Sequence, residues 1–192
     1  KKTLSCGYIG SFKKGKGVDI VVKIAEVIPS MKFHIVGGTE DEINTLKSKT
    51  KAQNIIWHGY LNQKNVMKIL REDIDIALLP NQSSVFVGDK NKGDIGKWTS
   101  PMKLFEYMSM GKAIVASDIP VLKEVLHHLD NAYLVEPHDI LQWKKAILYL
   151  ENNREILKSI SIKAFQDIKT KYTWDERTRK SIGNLKLREE KI

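Results

Sequence analysis

Two stretches of this sequence hold residues whose types and spacing could do chemistry. The first runs Gly10-Ser11-Phe12-Lys13-Lys14-Gly15-Lys16-Gly17. Glycines let the backbone turn tightly and approach a ligand, and free amides at a helix start, with lysines beside them, make an anion site. The spacing is neither G-x-G-x-x-G nor G-x-x-x-x-G-K-[ST]. A glycine-rich turn carrying solvated lysines fits it equally well. The second stretch runs from Thr99 through Ser100-Pro101-Met102-Lys103-Leu104-Phe105-Glu106 to Gly111-Lys112. Ser100 suits an N-cap, Pro101 a first helical position and Gly111 a C-terminal cap. Leu104 and Met108 share one face, and Lys103 and Glu106 share another. Read blandly, this is a capped helix with a surface ion pair worth about a few tenths of a kcal/mol. Read functionally, the helix start is a pyrophosphate site with Glu106 about 8 Å further along, at ~1.5 Å per residue. That offset suits the ribose beside a diphosphate, and an ionised carboxylate can accept both hydroxyls of a diol.

The elements that must position these residues alternate. Apolar runs predict strands over 4–10, 31–36, 54–57, 74–79, 113–116 and 132–135. Helical spacing predicts helices over 18–28, 41–51, 66–71, 101–110, 121–126, 140–150, 154–170 and 175–187. Repeated β-then-α units imply a parallel sheet with right-handed crossovers and helices on both faces. Near-continuous apolar strands agree with a sheet covered on both sides. The expected fold is therefore α/β, Rossmann-like, in one domain over 1–192. Ligands in such sheets bind outside the carboxyl ends of the strands, so the loops after Gly10, Gly37, Trp57, Leu79, Ala116 and Val135 are the ones to search. The stretch 80–99 has no periodicity, and a loop of that length in a compact domain is usually functional or disordered.

Composition narrows the function classes. Net charge is +9, which favours polyanionic or phosphorylated ligands without choosing among them. No basic run is interleaved with exposed aromatics, so nucleic acid is not an expected partner. No stretch approaches the roughly 18–20 apolar residues of a membrane span. The single cysteine, Cys6, lies in an apolar run and reads as a buried thiol in a reducing compartment. His127-His128 reads as a solvated helix end, because adjacent helical residues point different ways and no carboxylate stands at ligand spacing. Trp57, Trp143 and Trp174 read as packing residues, and Trp98 as the one that could stack on a ligand. No Ser-His-Asp or Cys-His arrangement is present to claim.

Three segments together resemble the C-terminal domain of the group 1, or family 4, retaining GT-B glycosyltransferases. Tyr8-Ile9-Gly10-Ser11-Phe12 with Lys16-Gly17-Val18-Asp19 is similar to that family's opening strand and loop. Ser100-Pro101-Met102-Lys103-Leu104-Phe105-Glu106-Tyr107-Met108 with Gly111-Lys112-Ala113-Ile114-Val115-Ala116-Ser117-Asp118 resembles its signature helix and strand. Tyr172-Thr173-Trp174-Asp175-Glu176-Arg177 looks like the segment opening its last helix. They occur in family order across nearly the whole chain, and the middle one is specific.

The resemblance implies a donor-binding half of a two-domain enzyme, with the acceptor-binding N-terminal domain absent. It implies that Gly10, Ser11, Lys16, Ser100 and Lys103 meet a donor diphosphate, that Glu106 holds the ribose, and that Gly37, His58, Gly59 and Tyr60 shape the base pocket. The substrate implied is a nucleoside-diphosphate sugar, with no metal and no further cofactor. The acceptor implied is a sugar or lipid-linked glycan of bacterial polysaccharide assembly. A cytoplasmic setting, peripheral to the membrane, goes with it. Two positions depart from the family pattern. Trp98 stands where the first glutamate of its E-x7-E motif would fall, and Ser11 stands where an arginine is frequent. A non-catalytic nucleotide-binding module of the same fold is therefore the alternative, with a basic nucleic-acid-binding domain behind it.

Overall fold

The computed structural model describes residues 3–82, 102–173, 176, 178 and 179. Six parallel strands form its sheet: β1 (Ser5–Ile9), β2 (Lys32–Val36), β3 (Ile55–Gly59), β4 (Ile76–Leu79), β5 (Ala113–Ser117) and β6 (Tyr133–Val135), in the order β3-β2-β1-β4-β5-β6. The chain steps outward from β1 to β3 on one side, then returns to lie beside β1 and steps outward again to β6. The reversal falls between β1 and β4, where open parallel sheets bind their ligands. The expected α/β, Rossmann-like fold is what the chain adopts.

Helices cover both faces because the strands are apolar on both. Cys6, Tyr8, Phe33, Ile35, Ile76, Leu78 and Val115 join one buried cluster with α1 (Val18–Val27) and α6 (Ile140–Asn152). Ile9, Val36, Ala77, Leu79, Ile114 and Ala116 join the other, with α3 (Gln63–Glu72) and α4 (Met102–Ser109). Alternation along each strand thus feeds two cores. α2 (Glu40–Lys47) adds Leu46 to the first core, and the four-residue α5 (Pro120–Lys123) adds Leu122 to the second. α7 (Arg154–Lys171) places Ile160 in the first core and Ala164 in the second, so it bridges the two at one end of the sheet. Cys6 is buried with its Sγ 3.3 Å from Met31 Sδ, and burial pushes the thiol well above its usual pKa. Trp143 is fully buried, and its indole N–H donates to the Pro137 carbonyl at 3.2 Å.

Element ends differ from the sequence expectation where side chains compete for the backbone. α2 starts at Glu40 because Thr39 and Glu42 form a reciprocal capping box. It stops at Lys47 rather than at 51, since Thr50 turns out to donate to Glu26 Oε1 at 2.6 Å. α3 begins three residues earlier than its apolar spacing suggests, because Asn62 Oδ1 accepts the Asn65 N–H. β3 extends to Gly59. Most of the stretch 80–99, the Ser100-Pro101 start of the signature helix, Trp98, Trp174 and nearly all of the expected helix 175–187 lie outside the described residues.

One polar cluster is buried at the α7 end of the sheet. The Asn131 side chain accepts the His127 N–H at 2.7 Å and donates to the Val125 carbonyl and to Asp167 Oδ2 at 3.0 and 2.9 Å. Asp167 is buried and also takes Lys163 and Lys171 at 3.1 and 2.9 Å. Burial pushes its carboxyl upward, but hydrogen bonds from Lys171, Asn131 and Lys163 together outweigh burial and hold it below the ordinary value of 3.8. A depressed carboxyl contributes stability that is complete above its unfolded pKa and lost as pH falls through the folded one. Urea unfolding should show that loss below about pH 4. Asp167→Asn should lower stability at pH 7 by about 1–3 kcal/mol and flatten the acid-side slope.

Candidate functional site

β1 and β4 part at their carboxyl ends, and the site lies on the β1 side of that gap, over the ends of β1, β2 and β3. β1 follows β2 in register through Ile9↔Val36, whereas its pairing with β4 consists of Cys6↔Ile76 and Gly7↔Ala77. Beyond Gly7 the Ile9 N–H turns instead to the hydroxyl of Tyr107, which accepts it at 2.9 Å. Tyr107 is fully buried on α4, so this bond fixes the helix against the end of β1. Lys103, one turn earlier on α4, is thereby placed beside Gly10.

The loop after β1 is shaped by glycines and by Tyr8. The Gly10 N–H donates to the Val36 carbonyl at 3.0 Å, and the Tyr8 hydroxyl donates to the Ser11 carbonyl at 2.8 Å. Gly17, at φ +81°, caps α1; a Cβ there would lie 2.0 Å from the Pro80 carbonyl oxygen. The Gln82 N–H donates to Gly15 O at 2.9 Å, so the loops after β1 and β4 are joined. On the other side Gly37, at φ +119°, presses against Gly10, where a Cβ would meet the Gly10 carbonyl oxygen at 2.0 Å. The Gly37 N–H donates to Gly59 O at 2.7 Å. Backbone therefore packs on backbone across the ends of β1, β2 and β3.

A cavity of about 710 Å³ opens on this backbone surface, within the ~300–1,000 Å³ usual for small-molecule sites. Gly10, Ser11, Gly37 and Gly38 line it together with Lys13, Lys103, Thr39, Glu42, Tyr60 and Val66. Of the residues singled out from the sequence, Gly10, Ser11, Gly37, Tyr60 and Lys103 are brought together here. Glu106 is not in the lining but is held next to it, its Oε2 2.8 Å from Lys103 Nζ with both side chains partly exposed. Lys16 lies on the α1 side of the loop. Burial, and then the neighbouring Lys13, push its ammonium below the ordinary pKa. Ser100 lies outside the described residues.

His58 and Gly59 stand behind the lining instead of in it. The His58 imidazole meets His34, with His34 Nδ1 and His58 Nε2 3.0 Å apart. Gly59, at φ +66°, contributes its carbonyl to Gly37. The sequence reading missed Thr39 and Glu42, although T-x-x-E before an apolar stretch is a helix-start signature that would have placed them at the strand end. It also missed Tyr107 as the residue that seats α4. The other candidates carry no site. His128 Nδ1 accepts the Leu134 N–H at 3.1 Å, and among the described residues no three His, Cys, Asp or Glu gather as metal ligands. No described helix is long and apolar enough to cross a membrane.

Two substitutions test this construction. Tyr107→Phe leaves the buried Ile9 N–H without an acceptor and should lower the urea-unfolding free energy by about 1–3 kcal/mol. Gly37→Ala places a side chain in a left-handed conformation and against Gly10 O, so it should cost more than the roughly 1–3 kcal/mol of backbone strain alone. An unchanged midpoint for either variant would mean that the strand ends are not packed as described.

Comparison with known proteins bears on what such a site is for. A glycosyltransferase of Haemophilus influenzae, itself uncharacterized, is 29% identical over 170 residues, covering 85% of this chain and 43% of that protein. The poly(ribitol-phosphate) alpha-N-acetylglucosaminyltransferase of Staphylococcus aureus is 26% identical over 175 residues, covering 87% of this chain and 32% of that protein. The chain thus spans less than half the length of either relative. Among solved structures, the C-terminal domain of the group 1 family protein LpcC from Francisella tularensis superposes with a TM-score of 0.70 at 21% identity, covering 89% of this chain and 87% of that one. The model of the family described as Glycosyl transferases group 1 matches residues 1–167. That match runs from ahead of β1 into α7 and takes in every element around the cavity, so the chain belongs to the group 1 glycosyl transferases.

Proposed function

We propose that this chain is the donor-binding domain of a glycosyltransferase that moves a glycosyl group from a nucleoside-diphosphate sugar to an acceptor with retained anomeric configuration. The observation that carries the reading is the cavity over the carboxyl ends of β1, β2 and β3, where glycines and a lysine from the helix seated by Tyr107 line the same space. On this reading the diphosphate lies along Gly10 and Ser11, met by Lys103 and, from the α1 side, by Lys16. Ser100 would add its hydroxyl from the start of the signature helix. Glu106 takes the ribose hydroxyls. The base lies towards Gly37, Gly38 and Tyr60, with His58 and Gly59 acting from behind the wall.

Chemically, negative charge builds on the diphosphate as the glycosyl bond breaks. Fixed cations and helix amides aimed at that position stabilise the transition state more than the ground state. Lysines and helix amides meet that charge, so the reading assigns the step no metal. Acceptor recognition falls to an N-terminal domain of the same protein, and the reading gives the chain alone no transfer activity. The Staphylococcus aureus relative is named for transfer of N-acetylglucosamine to poly(ribitol phosphate), which supports an acceptor in bacterial surface polysaccharide assembly. That setting is cytoplasmic, at the inner face of the membrane.

The test is thermal stabilisation by a panel of nucleoside diphosphates and their sugars. A ligand at a hundredfold over its dissociation constant should add about 2.7 kcal/mol to the stability of the chain. One base should stand out, and Glu106→Ala and Lys103→Ala should each remove most of the shift while leaving the unliganded melting temperature within a few degrees. Equal shifts from all bases, or a full shift in both variants, would overturn the reading.

A further inference from the structure

The contact between His34 and His58 has no role assigned in the reading above, and its geometry is specific. Centroids of the two rings are 5.3 Å apart and their planes differ by 15°. With His34 Nδ1 and His58 Nε2 3.0 Å apart, a centroid separation this large places the rings edge to edge and nearly coplanar, not face on face. That is the arrangement of an in-plane N–H···N hydrogen bond.

The bond spans an irregularity in the sheet. β2 and β3 pair Ile35↔Trp57 and then Val36↔Gly59, so His58 is the extra residue of a bulge. Bulges re-aim the chain that follows them. Here the following residues are Gly59, whose carbonyl accepts the Gly37 N–H at 2.7 Å, and Tyr60, which lines the cavity. Gly37 in turn lies against Gly10. The His34 side chain is mostly buried, and the bond ties the bulge down onto β2.

We infer that His34 and His58 are positioning residues: their hydrogen bond holds the β3 bulge, and with it Gly59 and Tyr60, in the place that completes the base side of the cavity, and a second proton on the pair releases that wall. The inference rests on the donor-site reading for its ligand and on geometry alone for the latch. A neutral pair has one hydrogen between the facing nitrogens. A singly protonated pair keeps it, because the added proton goes to an outward nitrogen. The second proton puts hydrogens on both facing nitrogens, and the bond becomes a repulsion. Burial, and for His34 also the neighbouring His58, hold both imidazoles below the ordinary 6.5. Asp73 at the end of α3 and Asp75 ahead of β4 pull His34 the other way, Asp73 does so for His58, and Lys32 on β2 adds to the lowering of His34. Imidazoles lowered by folding contribute stability that is complete above pH 6.5 and declines as pH falls towards their folded values.

Two measurements on the 192-residue chain test this, one of them free of ligand. Ring-nitrogen NMR should show one shared proton and two coupled titration steps, the second below 6.5, and the Gly37 amide should lose exchange protection with that second step. Two independent titrations near 6.5, or protection that ignores them, would overturn the latch. The second measurement is the dissociation constant of UDP at pH 7.5 and 5.5. The terminal phosphate of UDP titrates in this range as well, so wild type is read against His58→Gln, whose amide can accept the His34 N–H without taking a second proton. Each protein is read against its own value at pH 7.5: on going to pH 5.5, wild type should weaken about tenfold more than His58→Gln, the size of one lost contact. His58→Phe should bind weakly at both pH values. Parallel pH profiles for wild type and His58→Gln would overturn the inference. Failure of UDP and of every other nucleoside diphosphate to bind wild type would instead strike the donor-site reading, and the latch would be judged on the ring titration and the Gly37 amide.

Discussion

The hydrogen bond from the Ile9 N–H to the Tyr107 hydroxyl is the interaction on which the site depends. A parallel sheet that reverses its strand order must open where the reversal occurs, because the chains leaving β1 and β4 go to different sides. Opening leaves a backbone donor at the end of β1 without a strand partner, and an unpaired buried N–H is costly. Tyr107 supplies the acceptor from α4. One bond therefore satisfies the donor created by the gap and fixes the helix that carries Lys103 and Glu106 beside it. The gap and its cationic wall have a common origin.

On the opposite side of the gap, close packing has the same role. Gly10 O lies where a Cβ of Gly37 would be, and Gly37 donates to Gly59. Backbone contacts join the three strand ends, leaving a surface whose amides and carbonyls can approach a ligand closely. The remainder of the fold makes this possible from a distance. Two apolar clusters clamp the sheet from both faces, and the Asn131–Asp167 clasp secures α7 across the α5–β6 connection. Rigid support at the amino ends and between the layers is what lets a loop-built site hold its geometry.

Much of this was legible in the sequence, for physical reasons that can be named. The strands are runs buried on both faces, so β1, β2, β4 and β5 stand out by apolarity alone. β3 lies at the sheet edge with Ile56 exposed, and the sequence reading ends it at Trp57 because its apolar run stops there, before His58 and Gly59. The Gly10–Gly17 loop and the Lys103–Glu106 pair were visible because local spacing places them. What was not visible joins residues distant in the chain: Tyr107 with Ile9, 98 positions apart, His34 with His58, and Asn131 with Asp167. The family resemblance implied a place for His58 in the base pocket. The bulge that turns it back towards His34 depends on the register of β2 against β3, and no periodicity within β3 encodes that register.

The Lys103–Glu106 pair bears on which ligand suits the cavity. The two charges neutralise each other at 2.8 Å while remaining partly open to water. An anion that took Lys103 alone would leave Glu106 with its charge less compensated, and the exchange would gain little. A ligand that brings both an anion and a vicinal diol changes the balance. Its phosphate replaces the carboxylate on Lys103, and its hydroxyls donate to the carboxylate released, so neither group loses a partner. On the proposed reading the ion pair is thus a filter as well as a support. It discriminates against inorganic phosphate and favours a molecule in which diphosphate and ribose are joined at the spacing that one turn of α4 sets between Lys103 and Glu106.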